Sequence, residues 1–288
     1  MVRGFASARP SFFPRRQSMT KDMPSTEADG IVPLRFPNLG KLPFLVHAVT
    51  TRFDSRGREF NLALHVGHHH DDALKNRAAL CGALGFQSDS LTCCEQVHGS
   101  QVAFVEKSSV GRGAFSRSDA LQGFDAMVTN VPGALLAMFA ADCPLTVLAD
   151  PKRRAIGICH SGWRGLAAGV VFNTVAAMYA HFGTVPHDLR AGIAPSIEKS
   201  CYEVGEEVAE QFAATYGECV TSIEGGKFTL DLRGIVLAQL LAAGLKRRNI
   251  EQSGLCTRCQ SHLLFSYRRD GEKAGRFALA AGIKVRQV

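Results

Sequence analysis

The sequence predicts a single layered α/β (α+β) domain, a mixed β-sheet with flanking helices, spanning residues 31–288. Three observations lead there. Asp125 to Thr129, Ala134 to Ala140, Leu145 to Ala149 and Ala155 to Cys159 are short apolar runs bounded by turn signals, the pattern of buried strands. Other segments repeat apolar residues at spacings of three and four, the stripe of a helix packed on one face. The two kinds of segment follow each other without a regular β-α-β rhythm, which argues against a doubly wound sheet.

Taken in order, residues 1–30 read as a disordered basic extension, or as sequence upstream of an internal start at Met19 or Met23. Residues 31–43 are Pro-rich and lead into a strand from Phe44 to Arg52. Asp71 and Asp72 cap a helix that runs to about Leu84 and stops at Gly85, with Leu74, Ala78, Cys81 and Leu84 facing inward. Leu91 to Val105 reads as one or two strands around His98, and the Ser/Gly/Arg-rich residues 107–123 as a mobile loop. After the four buried strands, Arg164 to Phe182 is expected as one helix, buried along Ala167, Val171, Val175, Met178 and Phe182. A second helix runs from Tyr202 to Tyr216. A third is capped by Asp231, buries Leu232, Val236 and Leu240, and ends before Gly244. Leu263 to Tyr267 and Phe277 to Val285 finish the chain as strands. No internal repeat is present.

The net charge of +7 is concentrated at one end. Residues 1–21 carry five basic groups and no acid, leaving 28 basic against 26 acidic side chains in the rest. A nearly neutral body gives no electrostatic reason to expect nucleic acid. No run reaches the roughly 18 apolar residues of a membrane span, because Asp142 and Pro144 interrupt the longest candidate, Ala134 to Leu148. The N-terminus lacks the apolar centre of a secretory signal and only faintly resembles a transit peptide. Nine cysteines without a secreted framework are expected to stay reduced in the cytoplasm. Cys81, Cys159, Cys201 and Cys219 sit in largely apolar surroundings and read as core residues. The chain is expected to be a monomer or weak homo-oligomer.

Three segments concentrate the chemistry: Gln96-Val97-His98-Gly99, Ala141-Asp142-Cys143-Pro144 and Cys159-His160-Ser161-Gly162-Trp163-Arg164-Gly165. Each delivers one metal-ligand side chain where an apolar strand gives way to Gly or Pro. The gaps of 45 and 17 residues are no metal motif by themselves. Together, though, two imidazoles and one thiolate form a donor set with a fourth position open, the mark of a catalytic rather than structural zinc. Asp142, a charge at the end of an apolar run, is costly there unless paired or functional. From Ala155 to Gly165 the chain reads as strand, tight turn and helix. The helix N-terminus and the planar fork of Arg164 would together suit an anion; alternatively, Trp163 and Arg164 only pack and pair at the surface. The run His65 to His70 holds one His-x-His pair and reads as a solvated loop before the next helix. Cys256-x-x-Cys259-x-x-His262 resembles half a zinc knuckle but supplies no fourth ligand, so structural roles are expected.

The same three segments resemble the hallmark motifs of the laccase-domain family, also called polyphenol oxidase-like or YfiH-type. The resemblance continues through Asn61-Leu62, His65-Val66-Gly67, Asn76-Arg77, Ile193-Ala194-Pro195-Ser196-Ile197, Cys201-Tyr202-Glu203-Val204-Gly205, Asp231-Leu232 and Cys256-Thr257. It ends at Phe265-Ser266-Tyr267-Arg268-Arg269-Asp270-Gly271 and Gly275-Arg276, and covers roughly residues 32 to 288. It implies that His98, Cys143 and His160 bind zinc in a cytosolic α/β protein that cleaves purine nucleosides with phosphate, some members also deaminating adenosine. Bacterial relatives have been named copper polyphenol oxidases and peptidoglycan editing factors, and both stand as alternatives. The chain departs from the family after Gly67, where an acid is usual and His68-His69-His70 stand here. The basic N-terminal tail is a second departure.

On this reading Asp142, Arg164 and Asn61 are the catalytic candidates, and Arg52, Arg268 and Arg269 the substrate-binding ones. Arg164 and Arg52 would hold the phosphate with the metal, Asn61 would contact sugar or base, and Asp142 would carry a proton or orient the site. Deamination would use the same metal to activate water. A multicopper oxidase needs further histidine clusters, and one His-x-His pair does not supply them.

Overall fold

The computed structural model describes residues 30–66 and 70–285. The expected extension lies outside them except for Gly30, as do His68 and His69. The strands are β1 (Leu45–Val49), β2 (Leu91–Cys93), β3 (Val102–Phe104), β4 (Ala126–Thr129), β5 (Leu135–Ala140), β6 (Leu145–Asp150), β7 (Ala155–His160), β8 (Arg190–Ile193), β9 (Glu203–Val204), β10 (Val220–Ile223), β11 (Lys227–Leu230), β12 (Ile250–Gln252) and β13 (Phe277–Ile283). The helices are α1 (Pro37–Gly40), α2 (His70–Leu84), α3 (Trp163–Ala167), α4 (Val170–Phe182), α5 (Glu206–Tyr216), α6 (Leu232–Ala242) and α7 (Tyr267–Asp270).

Two mixed sheets form the centre, ordered β1-β13-β5-β2 and β12-β8-β6-β7-β4-β3, and a small β10-β11-β9 sheet stands beside them. Side chains on one face of β5 (Leu136, Met138) and β13 (Phe277, Leu279) share a core with those of β6 (Val147) and β7 (Ile156, Ile158), so the large sheets pack face to face. The opposite face of β5, with Leu135 and Ala137, packs on Leu80, Cys81 and Leu84 of α2. The outer face of the six-stranded sheet is covered by Val171, Val175 and Met178 of α4 and Val236 and Leu240 of α6. The result is four layers, helix, sheet, sheet, helix. It explains why β5, β6 and β7 read as unbroken apolar runs: both of their faces are buried.

Several expectations are corrected in detail. The helix expected from Arg164 to Phe182 is two, broken at Ala168 and Gly169, where Gly169 takes φ +79°. Ala167 is therefore exposed, and Phe182 only half-buried. The second helix starts at Glu206 rather than Tyr202, because Glu203 and Val204 pair with β11. Leu263 to Tyr267 is not a strand; Ser266 caps the short α7 by accepting from Arg269 N. In α2 the buried residues are Ala73, Arg77, Leu80, Cys81 and Leu84, while Ala78 is exposed and Leu74 half-buried. Arg77 causes this rotation. Its buried guanidinium donates to the carbonyls of Leu62, Gly113 and Ala114 at 2.7–2.8 Å and lies over the Phe139 ring. The same bonds anchor residues 107–123, expected as a mobile loop, which are also tied through Cys93 N to Arg112 O and the Arg112–Asp119 ion pair. Asp231 caps α6 as expected, accepting from Gly234 N at 2.9 Å.

Candidate functional site

The topology brings His98, Cys143 and His160 to one end of the paired sheets. His98 lies between β2 and β3, and Cys143 between β5 and β6; both connections pass from the four-stranded to the six-stranded sheet. His160 ends β7, in register with Leu145 at the start of β6. One donor atom from each of the three lies within 4.8 Å of the others. His98 is exposed, Cys143 half-buried and His160 buried, and the two rings meet edge to face with centroids 4.8 Å apart.

Backbone strain concentrates here. Among the described residues four non-glycine positions have φ in the left-handed region, and Gln96 (60°), His98 (61°) and Asp142 (104°) are three of them. Such conformations persist only where the surroundings dictate them. Gln96 is fixed by its amide, which donates to Phe139 O at 2.7 Å and accepts from Phe139 N at 2.8 Å, copying a strand partner for β5. The His98 turn wraps around the Asp125 carboxylate, which accepts from the backbone N of Val97, His98 and Gly99 at 2.6–3.0 Å. Asp142 accepts from Thr257 Oγ1 at 2.5 Å and Arg268 N at 2.7 Å. Two glycines allow the third segment to close on the first. A Cβ on Gly162 would lie 2.8 Å from His98 Cδ2, and one on Gly165 would lie 2.7 Å from Gly99 O.

The electrostatics of the trio are mutual. Burial alone would raise the Cys143 thiol, but the two imidazoles beside it bring it down to about 6. Burial alone would lower His160, but Cys143 and Asp125 carry it up to about 9. Burial opposes ionisation of Asp125 as well, and its bonds to His160 and the turn still hold it below the usual carboxylate range. The donor set fits zinc: two nitrogens and one thiolate of depressed pKa, with all three residues facing a cavity of about 440 Å³ that leaves a further position open. His160 Nδ1 is bonded to a buried carboxylate, the arrangement that orients metal-binding histidines.

Of the other expected site residues, Asp142, Arg164 and Arg268 line the cavity. Arg164 lies over the Trp163 ring at 4.2 Å, and Arg268 over Tyr202 at 4.8 Å. The helix that carries Arg164 in its first turn, α3, has only five residues, so little helix dipole supports an anion there. Asn61, Arg52 and Arg269 are not brought to the cavity. The Asn61 amide donates to Ala63 O and Val66 O and accepts from Ala63 N and Arg276 N. Arg52 pairs with Glu59 at 2.8 Å and donates to Ser261 O. Arg269 is bidentate to Asp270 and donates to the carbonyls of Thr257, Arg258 and Leu264. Sequence reasoning missed Asp125, His65, Arg77, Arg117 and Arg276. For Asp125 the signal was present, since it opens a buried strand just as Asp142 follows one.

Two packed mixed sheets, with this histidine–cysteine cluster at their end, define a laccase-domain α/β protein. The chain belongs to the family described as multi-copper polyphenol oxidoreductase laccase, whose family model matches residues 46–284. It is 34% identical over 253 residues to a Geobacillus stearothermophilus protein named purine nucleoside phosphorylase YlmD, covering 84% of this chain and 92% of that one. It is 34% identical over 238 residues to a protein named adenosine deaminase RL5 from an unknown prokaryotic organism, covering 79% and 89%. The crystal structure of YlmD from Geobacillus stearothermophilus superposes with a TM-score of 0.81 at 32% identity, covering 88% of this chain and 96% of that one. No helix among the described residues is long and apolar enough to cross a membrane.

Proposed function

We propose that the chain is a zinc-dependent purine nucleoside phosphorylase of the cytoplasm, with adenosine deamination as a second reaction at the same site. The observation that carries this reading is the meeting of His98, Cys143 and His160 in a cavity that five arginines also line: Arg77, Arg117, Arg164, Arg268 and Arg276. Relatives named for both reactions support it. Zinc on the three donors would supply a Lewis acid for an anion or an activated water.

The protein's own residues do the rest. Asp125 holds His160 through Nδ1 and so presents Nε2 to Cys143. The guanidinium groups of Arg164, Arg268 and Arg276 offer charge for a phosphate and hold it in line with the anomeric carbon. The purine gains apolar contact from Trp163 and Tyr267, which line the same cavity. Asp142 acts as a positioning residue rather than a proton carrier, because both its oxygens already accept bonds that fix the turn before Cys143.

Copper on the same donors is the alternative. A blue-copper site wants a weak axial ligand, methionine or glutamine; no methionine lines the cavity among the described residues, and the one glutamine there, Gln96, has both atoms of its amide bonded to the Phe139 backbone. The test is chromatography of products after the purified protein meets adenosine with and without phosphate. Adenine that appears only with phosphate supports the phosphorylase, and inosine in both tubes supports the deaminase. No turnover in either tube would overturn the proposal and move the search to phenols and muropeptide precursors.

A further inference from the structure

A second cluster of metal-binding side chains lies outside the cavity. Cys201, Cys256 and Cys259 bring their sulfurs within 4.8 Å of one another, with Cys201 Sγ 3.5 Å from Cys259 Sγ. The sequence offered Cys256-x-x-Cys259-x-x-His262 as half a knuckle. The fold brings in a different third member, Cys201, from 58 residues before Cys259. Cys201 was expected in the core; it is half-buried instead.

We propose that Cys201, Cys256 and Cys259 form a second metal site, taking zinc on three thiolates with solvent at the fourth position. Zinc–sulfur bonds of about 2.3 Å in a tetrahedron place the sulfurs about 3.8 Å apart, so the observed spacing needs little closure. A disulfide would use two of these sulfurs and leave the third beside it without a role. The scaffold is also built before any metal arrives. Cys256 forms a parallel bridge with Ser196, and Thr257 N donates to Ser196 O at 3.2 Å. Glu198 N donates to Cys256 Sγ at 3.4 Å, which would stabilise a thiolate there. Arg269 clamps the turn between Cys256 and Cys259 through the carbonyls of Thr257 and Arg258.

The sulfurs already share charge unequally. Hydrogen bonds from Cys259, Cys256, Ser200 and Arg258 outweigh burial and lower the Cys201 thiol, while Cys259 is pushed up to about 12 by its two neighbours. Zinc would displace the remaining protons to solvent and take their place between the sulfurs. Cys259 is exposed, so the ion has an entry path. The site would clip together the segment before Tyr202, which lines the catalytic cavity, and the turn carrying Thr257, which bonds Asp142. This inference stands whether or not the nucleoside chemistry does.

The experiment is cobalt and zinc titration of the full reduced chain in a Cys143→Ala background, with and without Cys259→Ser. The first substitution removes the thiolate of the histidine site, so any thiolate-to-cobalt charge-transfer band must come from elsewhere. One equivalent of zinc and a strong band are expected in Cys143→Ala, and both should be lost on adding Cys259→Ser. Elemental analysis should give two zinc ions in the unsubstituted chain and one in Cys259→Ser alone. Because Cys259 is exposed, Cys259→Ser should leave the unfolding temperature of the chelator-treated protein unchanged. Equal zinc content with and without Cys259→Ser would overturn the site. So would a reduced Cys143→Ala protein that takes up no metal and forms a Cys201–Cys259 disulfide in air.

Discussion

His160 Nδ1 lies 2.8 Å from Asp125 Oδ1, and Asp125 is wholly buried at 0% exposure. The same carboxylate accepts from Val97, His98 and Gly99. One side chain therefore sets both the tautomer of one histidine and the backbone carrying the other. Replacing Asp125 by Asn keeps the shape but removes the charge and one acceptor. Zinc affinity should fall about 10- to 100-fold, the usual cost of losing a partner behind a metal-binding histidine. Competition against a chromophoric chelator measures it, and unchanged affinity would remove Asp125 from the site.

Zinc binding should depend on pH in a defined way. Cys143 in the metal-free fold ionises at about 6, and His160 holds its proton up to about 9. Between those values the pair is thiolate and imidazolium, and it stabilises the metal-free fold. That stabilisation is lost on the acid side as Cys143 takes a proton through about 6, and on the alkaline side as His160 releases one through about 9. To bind zinc in this window the site must release the His160 proton, so the logarithm of affinity should rise with a slope of about one per pH unit. Below about 6 the slope should steepen, because Cys143 then also competes for a proton. An affinity flat from pH 6 to 9 would be inconsistent with these donors.

The three ligand candidates and the strands that carry them were legible because each is a local event, a polar ligand where a buried strand stops. The four layers were partly legible too, since continuous apolar runs imply strands covered on both faces. Which arginine reaches the cavity was not. Arg268 and Arg269 are neighbours, yet one lines the cavity and the other is enclosed by Asp270 and three carbonyls. Periodicity found Cys81 and Leu84 on the inner face of α2 but put Leu74 and Ala78 there and passed over Arg77, whose charge is satisfied in the interior by carbonyls distant in sequence. Cys201 shows the same limit: its partners are 55 residues or more along the chain, and no spacing rule reaches them.

Arg164 separates the two proposed reactions. Phosphorolysis needs a bound anion that deamination does not. Arg164→Ala removes a charged donor from the cavity, a change worth about 1.5–3 kcal/mol for a hydrogen bond to a charged group. The kcat/KM for phosphate should drop about 10- to 100-fold, while inosine formation without phosphate changes little. Parallel initial-rate assays on adenosine decide it. An equal loss in both reactions would assign Arg164 to the nucleoside instead of the phosphate.

Gly162 tests whether the site depends on close approach between the first and third segments. Its backbone, φ −63° and ψ 164°, suits any residue, so alanine adds no conformational strain. The added Cβ would meet His98 Cδ2 at 2.8 Å and Cys143 Sγ at 3.4 Å. His98 is exposed and its ring can swing away, so the fold should tolerate Gly162→Ala with an unfolding temperature close to that of the unsubstituted chain without metal. The displaced ring, however, can no longer meet the other two donors. Zinc affinity should fall at least about 10-fold, as for other losses of ligand orientation, and turnover should fall with it. Calorimetry with zinc, set beside thermal unfolding of the stripped protein, separates the two effects. Tight zinc binding by Gly162→Ala would show that His98 is not a required ligand.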